Sequence, residues 1–225
     1  MKANRLTVII SGMIVAISQL LVGYNVFAAS AQPLSIDIKY VYRHKGGNQF
    51  ETLTEGSTLY SGDYYKIIFT PTETTYVYIF QTDSSENIFR LFPMKSFGGV
   101  TVNNFNPAQP GKTYYIPAKG QSFYLDQQIG EEAIYFITSR QPEPRLENQY
   151  QQVVTAQRKQ DTVEVEIAQT TLQQEIQQRG PGGIEKDSAE AQSFNWQEKG
   201  QQFSTLRQRL EGCDGCVNVL KFWHR

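Results

Sequence analysis

The chain has 225 residues, with 21 Lys and Arg against 22 Asp and Glu and a formal net charge of −1 at pH 7. This balance does not supply the basic surface that nucleic-acid binding requires, so we expect no nucleic-acid partner. The two cysteines and two histidines do not form a four-ligand zinc pattern, and no phosphate-binding or hydrolase motif is present. We therefore expect no metal, no cofactor and no catalytic set.

Residues 1–31 have the order of residues that is typical of a secretory signal. Lys2 and Arg5 precede a long uncharged apolar run, and a stretch of small residues follows it. We expect cleavage after Ala31, with Ala28 as the alternative site. An uncleaved anchor is the competing interpretation, because the run is close to the shortest that can span a bilayer. The expected product is a bacterial protein that is periplasmic or secreted and keeps no transmembrane segment.

Residues 34–140 are predicted to form a β domain, and they hold 20 of the 26 Phe and Tyr residues. The first segment, LSIDIKYVYR, alternates apolar and polar residues, as a half-buried strand does. Six further runs rich in aromatic and β-branched residues follow, separated by turn-forming sequences. This spacing predicts a mainly β fold, an antiparallel β-sandwich that is either Ig-like or a small barrel.

The longest connection, residues 94–112, is rich in Gly, Asn and Pro and is expected to be largely irregular. It contains Phe97 and Phe105. Since an exposed aromatic ring in a loop usually needs a partner, we expect both rings to pack onto the core.

Residues 141–212 are predicted to be a Gln-rich helical region. Leu146, Tyr150 and Val153 have the spacing of a single apolar helical stripe. A Gly/Pro break at 180–183 ends this part, and a second polar helix is expected after it. Residues 213–225 are predicted to be a Cys-x-x-Cys turn followed by a closing C-terminal strand.

Part of the β domain resembles a bacterial family catalogued as domain of unknown function 4384, over roughly residues 52–147. The matching features are Leu59, Ser61, Gly62, Asp63, Tyr76–Tyr78, Leu91–Pro93, Ile116, Pro117, Leu125, Asp126 and Gly130–Tyr135. Such domains occur in exported proteins, in some of which they are joined to caspase-like peptidase or protein-kinase modules. The resemblance implies an accessory β domain and supplies no catalytic residues.

The two cysteines lie in the sequence GCDGC, at Cys213 and Cys216. In an oxidising compartment such a pair is expected to form a disulfide, here a local clamp between a helix and a strand. Thioredoxin-like chemistry places the first Cys at a helix N-terminus, and Asp214 would disfavour a thiolate. A redox role nevertheless stays open as the alternative, and half of a metal site is a weaker one.

His44 and His224 lie at opposite ends of the mature chain and are expected to be lone, solvated side chains. The first functional hypothesis is thus an exported, non-enzymatic interaction or assembly protein of the bacterial envelope, with an envelope or secreted protein as partner. The alternative is a thiol-disulfide redox protein that uses Cys213 and Cys216. A glycan-binding module is a weaker alternative, because tyrosine-rich β-sandwiches can present aromatic faces to sugars.

Overall fold

The computed structural model describes residues 33–182, 184–187 and 193–225, and these residues are mainly β-strand. The strands are β1 (Leu34–Arg43), β2 (Glu51–Thr52), β3 (Thr58–Leu59), β4 (Tyr64–Pro71), β5 (Tyr76–Thr82), β6 (Ile88–Phe92), β7 (Met94–Phe97), β8 (Val100–Asn104), β9 (Tyr114–Ile116), β10 (Phe123–Tyr124), β11 (Gly130–Ser139), β12 (Ile184–Asp187), β13 (Ser193–Glu198), β14 (Gln201–Leu206), β15 (Gln208–Gly212) and β16 (Val217–His224). The helices are α1 (Pro144–Lys159) and α2 (Thr162–Gln177). The predicted signal, residues 1–31, lies outside the described residues.

Two sheets face each other across the main core. The first has the order β10-β4-β1-β15-β12, with β2 and β9 paired to β1 and β4, and the second has the order β3-β16-β11-β5-β6. Their pairings are antiparallel except for the short parallel pair of β3 and β16. Inward-facing residues of both sheets, such as Ile38, Phe69, Ile79 and Phe136, form one buried cluster. The predicted antiparallel β-sandwich is therefore confirmed.

The two helices cover the outer face of the second sheet. Leu146 and Val153 of α1 and Leu172 of α2 are buried against strand residues such as Tyr78 and Tyr135. The helix predicted from the stripe beginning at Leu146 is thus confirmed. None of the helices in the described residues is long and apolar enough to cross a membrane.

The prediction of a second polar helix after the Gly/Pro break is wrong, because the described part of that segment forms β12 to β15. In β13, Phe194, Trp196 and Glu198 are buried while the residues between them are less so, which is the period of two of a strand. Lys199 and Gly200 both have positive φ, at 48° and 80°, and close a two-residue hairpin to β14. The abundance of Gln and Glu concealed this alternation in the sequence.

The β13–β14 hairpin covers the outer face of the first sheet. Phe194 and Trp196 form a buried cluster with Val41 of β1 and Ile68 of β4. Both faces of β1 are therefore largely buried, whereas its sequence predicted a half-buried strand. Among its polar alternate positions, Asp37 and Lys39 are each only 7% exposed.

The segment after residue 207 belongs to the sandwich and does not form a separate tail. β15 pairs with β1, from Leu34↔Gly212 to Ile38↔Gln208, and β16 pairs with β11 over eight residues. The described residues from 33 to 225 form one compact unit, and the boundary expected at residue 140 does not divide it. The sequence could not show which strands the closing segment would pair with, because such pairing is set by tertiary contacts.

The connection at residues 94–112 is more regular than expected, because β7 and β8 form a hairpin within it. Phe97 packs on Phe123, with the ring centroids 5.3 Å apart, as predicted. Phe105 is 47% exposed, so the expectation that it would pack onto the core is wrong.

Candidate functional site

A row of buried polar side chains crosses the inner face of the second sheet near one end of the sandwich. Gln81 of β5, Glu132 of β11 and His224 of β16 occupy inward positions that hold apolar residues elsewhere in the same strands. We call this the Ser61 end: β4, β6 and β11 begin there, and β1, β5 and β16 end there. Burying such groups is costly unless they bond to one another, so the row requires mutual partners.

The row is connected by hydrogen bonds from Ser61 to Tyr65. Ser61 Oγ lies 3.1 Å from His224 Nε2, and His224 Nδ1 lies 3.3 Å from Glu132 Oε1. Gln81 Nε2 donates to Glu132 Oε2 at 2.5 Å, and the Tyr65 hydroxyl donates to Gln81 Oε1. The network therefore joins the loop before β4, the C-terminal strand and the cores of both sheets.

Burial changes the acidity of this network. Burial raises the pKa of Glu132 above its ordinary value of 4.5, although the hydrogen bonds from Gln81 and His224 oppose that shift. Burial also raises the pKa of Tyr65 well above its usual 10.0, and the nearby Glu132 carboxylate acts in the same direction. The Tyr65 hydroxyl therefore keeps its proton and acts as a donor at physiological pH.

Asp63 organises the turn that carries Ser61. Its carboxylate accepts hydrogen bonds from the Tyr60 and Lys45 amides, both at 2.9 Å, and lies 2.7 Å from His44 Nδ1. Burial acts to raise the pKa of Asp63, but these hydrogen bonds outweigh it and hold the pKa below its ordinary value of 3.8. The carboxylate is thus ionised at neutral pH and fixes the turn.

The expectation of two lone, solvated histidines is wrong for both residues. His44 pairs with Asp63, and His224 is only 1% exposed and lies between Ser61 and Glu132. Both histidines therefore contact the turn formed by Tyr60–Asp63, although 180 residues of sequence separate them. Only the folded chain brings them to this turn.

Ser61, His224 and Glu132 have the order of groups found in serine hydrolases, in which an acid orients a histidine beside a nucleophilic hydroxyl. Acyl transfer also needs amide donors for the oxyanion. The amides around Ser61 are all bonded within the fold: residues 60, 61, 62 and 63 donate to Asp63 Oδ2, Arg225 O, Leu125 O and Tyr60 O, respectively. The geometry thus supplies a fixed polar network without a free oxyanion donor at Ser61.

A cleft of about 330 Å³ opens beside this network, between the edges of the two sheets. Tyr65, Gln81 and Glu132 contribute to its lining from the buried row. Phe89, Phe97, Phe123 and Tyr124 contribute aromatic side chains to its walls. The cleft therefore combines apolar faces with a buried carboxylate.

Cys213 and Cys216 lie at disulfide distance in the turn between β15 and β16, with their Cα atoms 5.3 Å apart. A strand precedes the pair, not the helix that we expected. The turn is tied to the end of β11, because Asp214 Oδ1 accepts from the Arg140 amide at 2.8 Å and the Gly215 amide donates to Thr138 O at 2.8 Å.

The cysteine turn is linked to the segments that flank both helices through Arg179. Arg179, just after α2, donates to Gly215 O at 3.1 Å and to Glu143 Oε2, beside the start of α1, at 2.8 Å. Gly182 lies so close to Cys216 that an added Cβ would be 2.2 Å from the Cys216 Cβ. The pair therefore sits where β11, β16 and the helical hairpin meet.

The fold is thus a β-sandwich covered on one side by a helical hairpin and on the other by a β-hairpin, with a polar network at one end. Residues 58–142 match the family described as Domain of unknown function (DUF4384). No curated protein and no solved structure matches the chain. The matched segment runs from β3 through β11 and includes Ser61 and Glu132, whereas His224 lies outside it.

The polar network was not predicted from the sequence, although the sequence contains a signal for it. Inward positions alternate along β5 and β11, and they end on Gln81 and Glu132 at the same end of the sheet. A polar residue that continues an apolar alternation marks a buried polar position. The pairing of β16, which brings His224 beside them, required the tertiary structure.

Proposed function

We propose that this protein is an exported, non-enzymatic interaction or assembly protein of the bacterial envelope that contacts its partner through the Ser61 end. The observation that carries this proposal is the set of large side chains exposed there. Tyr60, Phe89, Tyr124 and Ile129 are 54%, 45%, 53% and 63% exposed. Tyrosine and other large apolar side chains are typical of protein interfaces, where they bury much area at a low entropic cost.

The non-enzymatic part of the proposal is supported by the surroundings of Ser61. Its own amide and those of its neighbours donate within the fold, and His224 is buried. A network with every member bonded stabilises one conformation of the loops around it. Such a network would hold the exposed side chains in place for a partner.

Export is supported by the basic, apolar and small-residue order of residues 1–31. N-terminal sequencing of the protein recovered from the envelope or the medium should give a start after Ala28 or Ala31. Recovery of chains that begin at Met1 would contradict cleavage.

The partner contact is tested by cross-linking a tagged chain in its native cells. A Tyr60→Ala/Ile129→Ala variant should lose cross-linked partner, because both side chains project from loops at the Ser61 end. A Val163→Ala/Ile167→Ala variant is the matched control, since these residues of α2 are 63% and 62% exposed. Equal cross-linking by the two variants would refute the Ser61 end as the contact surface.

The enzymatic alternatives are tested separately. A fluorophosphonate probe should not label Ser61, and labelling that disappears in Ser61→Ala would replace the proposal with a hydrolase. The exposure of Cys213 is the observation that favours the thiol-disulfide alternative. Insulin reduction that is catalysed by the wild type and lost in Cys213→Ser would establish that alternative.

A further inference from the structure

We infer that the cleft at the Ser61 end binds an organic cation, an amine attached to an aromatic or apolar body, with Glu132 as its anionic partner. The amine is either a free small molecule or the side chain of a lysine on a protein partner. This inference rests on the proposed function of the Ser61 end as a binding surface, and it adds the chemistry of what is bound.

The charges around the cleft favour a cation. Glu132 lies at its inner end, and Asp83 and Asp126 also contribute to its lining. The cation among the described lining residues, Arg90, is engaged by Glu147 of α1 at 2.7 Å. A concave site with apolar walls concentrates the field of such carboxylates and attracts positively charged ligands.

The aromatic walls provide the second part of the recognition. Phe97 meets Phe123 edge to face at 5.3 Å, and Phe123 stacks on Tyr65 at 5.0 Å. Phe89 and Tyr124 stand at the opening and are partly exposed. Aromatic faces near a carboxylate are the chemistry that recognises ammonium groups through cation–π contacts and ion pairing.

Glu132 has unused capacity to accept hydrogen bonds. Each of its oxygens faces one protein partner, Gln81 at Oε2 and His224 at Oε1, whereas a carboxylate oxygen accepts up to two. The site is also large enough, because cavities of roughly 300–1,000 Å³ hold small molecules. The cleft volume lies in the lower part of that range, which suits a ligand with a single ring and a short aminoalkyl chain.

The inference is tested by titrating the mature chain with benzylamine and with benzyl alcohol in a calorimeter. Benzylamine should bind at least about tenfold more tightly, because only it offers a charged donor. Glu132→Gln should abolish this preference. Glu131→Gln is the matched control and should keep the preference for benzylamine. Glu131 directly precedes Glu132 in β11, points to the opposite face and pairs with Lys221 at 2.7 Å.

A second variant tests the inference independently in case Glu132→Gln does not fold. Asp126→Asn, at an exposed position of the lining, should weaken benzylamine binding severalfold. Titration with Nα-acetyl-lysine methylamide distinguishes the two sources of the amine: tighter binding than benzylamine indicates a lysine side chain, and weaker binding indicates a free amine.

Equal affinity for benzylamine and benzyl alcohol, binding unaffected by Glu132→Gln and Asp126→Asn, or no binding of either amine would overturn the inference. A preference for neutral N-acetylglucosamine would also overturn it and would favour the glycan-binding alternative. These outcomes leave the proposed protein contact intact, because that contact is tested by Tyr60 and Ile129, which are not part of the cleft lining.

Discussion

His224 Nδ1 lies 3.3 Å from Glu132 Oε1, across 92 residues of sequence. The contact follows from the register of β16 on β11, in which Gly130 opposes His224 and Glu132 opposes Phe222. His224 and Glu132 are therefore diagonal neighbours on the same face of the sheet, within reach of each other. The last strand of the chain thereby completes a network that begins in the DUF4384 segment.

We expect the burial of Glu132 to make the stability of the fold depend on pH. Because burial raises its pKa in the folded state above 4.5, its contribution is fully present below pH 4.5 and is lost as the pH rises through the folded pKa. The melting temperature of the wild type should therefore fall relative to that of Glu132→Gln as the pH rises above 4.5. Thermal melts followed by circular dichroism measure this difference. A wild-type melting temperature that rises relative to that of Glu132→Gln as the pH increases would contradict this prediction.

The contribution of Asp63 to stability should depend on pH in the opposite direction. Its pKa is lowered in the folded state, so its contribution is present above pH 3.8 and is lost as the pH falls through the folded pKa. Asp63→Asn should lower the free energy of unfolding at neutral pH by about 1–3 kcal/mol, because two amides and His44 lose a charged acceptor. Urea denaturation provides the measurement. His44→Ala should cost less than about 1 kcal/mol, since this ring is partly exposed, and an equal cost for both changes would contradict the central role of Asp63.

The β13–β14 hairpin is joined to the first sheet by a buried ion pair. Lys66 Nζ and Glu198 Oε2 are 2.9 Å apart, and their side chains are 0% and 4% exposed. Glu198→Ala should destabilise the fold by about 3–5 kcal/mol, because it leaves the ammonium buried without its partner. A Lys66→Met/Glu198→Leu variant should lose much less. A double-mutant cycle in urea tests this, and additive losses would argue against coupling of the pair.

The cysteine pair should act as a local clamp. Cys213→Ser/Cys216→Ser should reduce stability by at most about 2 kcal/mol, because the closed loop is very short. Partner cross-linking should persist, since the turn lies at the opposite end of β16 from Ser61. Differential scanning calorimetry and the cross-linking assay measure the two effects. Loss of cross-linking at unchanged stability would point to a direct role of the cysteines in binding.

The sequence by itself determined the sandwich, the first helix and the family match of the central segment. These follow from local signals: runs of aromatic and β-branched residues in β4, β5 and β11, the helical stripe that begins at Leu146, and turn residues such as Gly62. Each signal lies within a few residues of the structure that it specifies, because strand and helix periods are set by backbone geometry. For β13 and β14 the prediction was wrong, because the Gln- and Glu-rich composition suggested a helix. The alternating apolar residues of β13 form a strand there because they pack against the first sheet.

Only the tertiary structure decided where the functional groups meet. His44, His224 and Glu132 each have an unremarkable sequence context, and β pairing brings them to the Ser61 end. Such pairing joins residues far apart in the chain, and its register is fixed by which faces are buried, a property of the whole core. The buried polar network is therefore complete only when β16 pairs with β11.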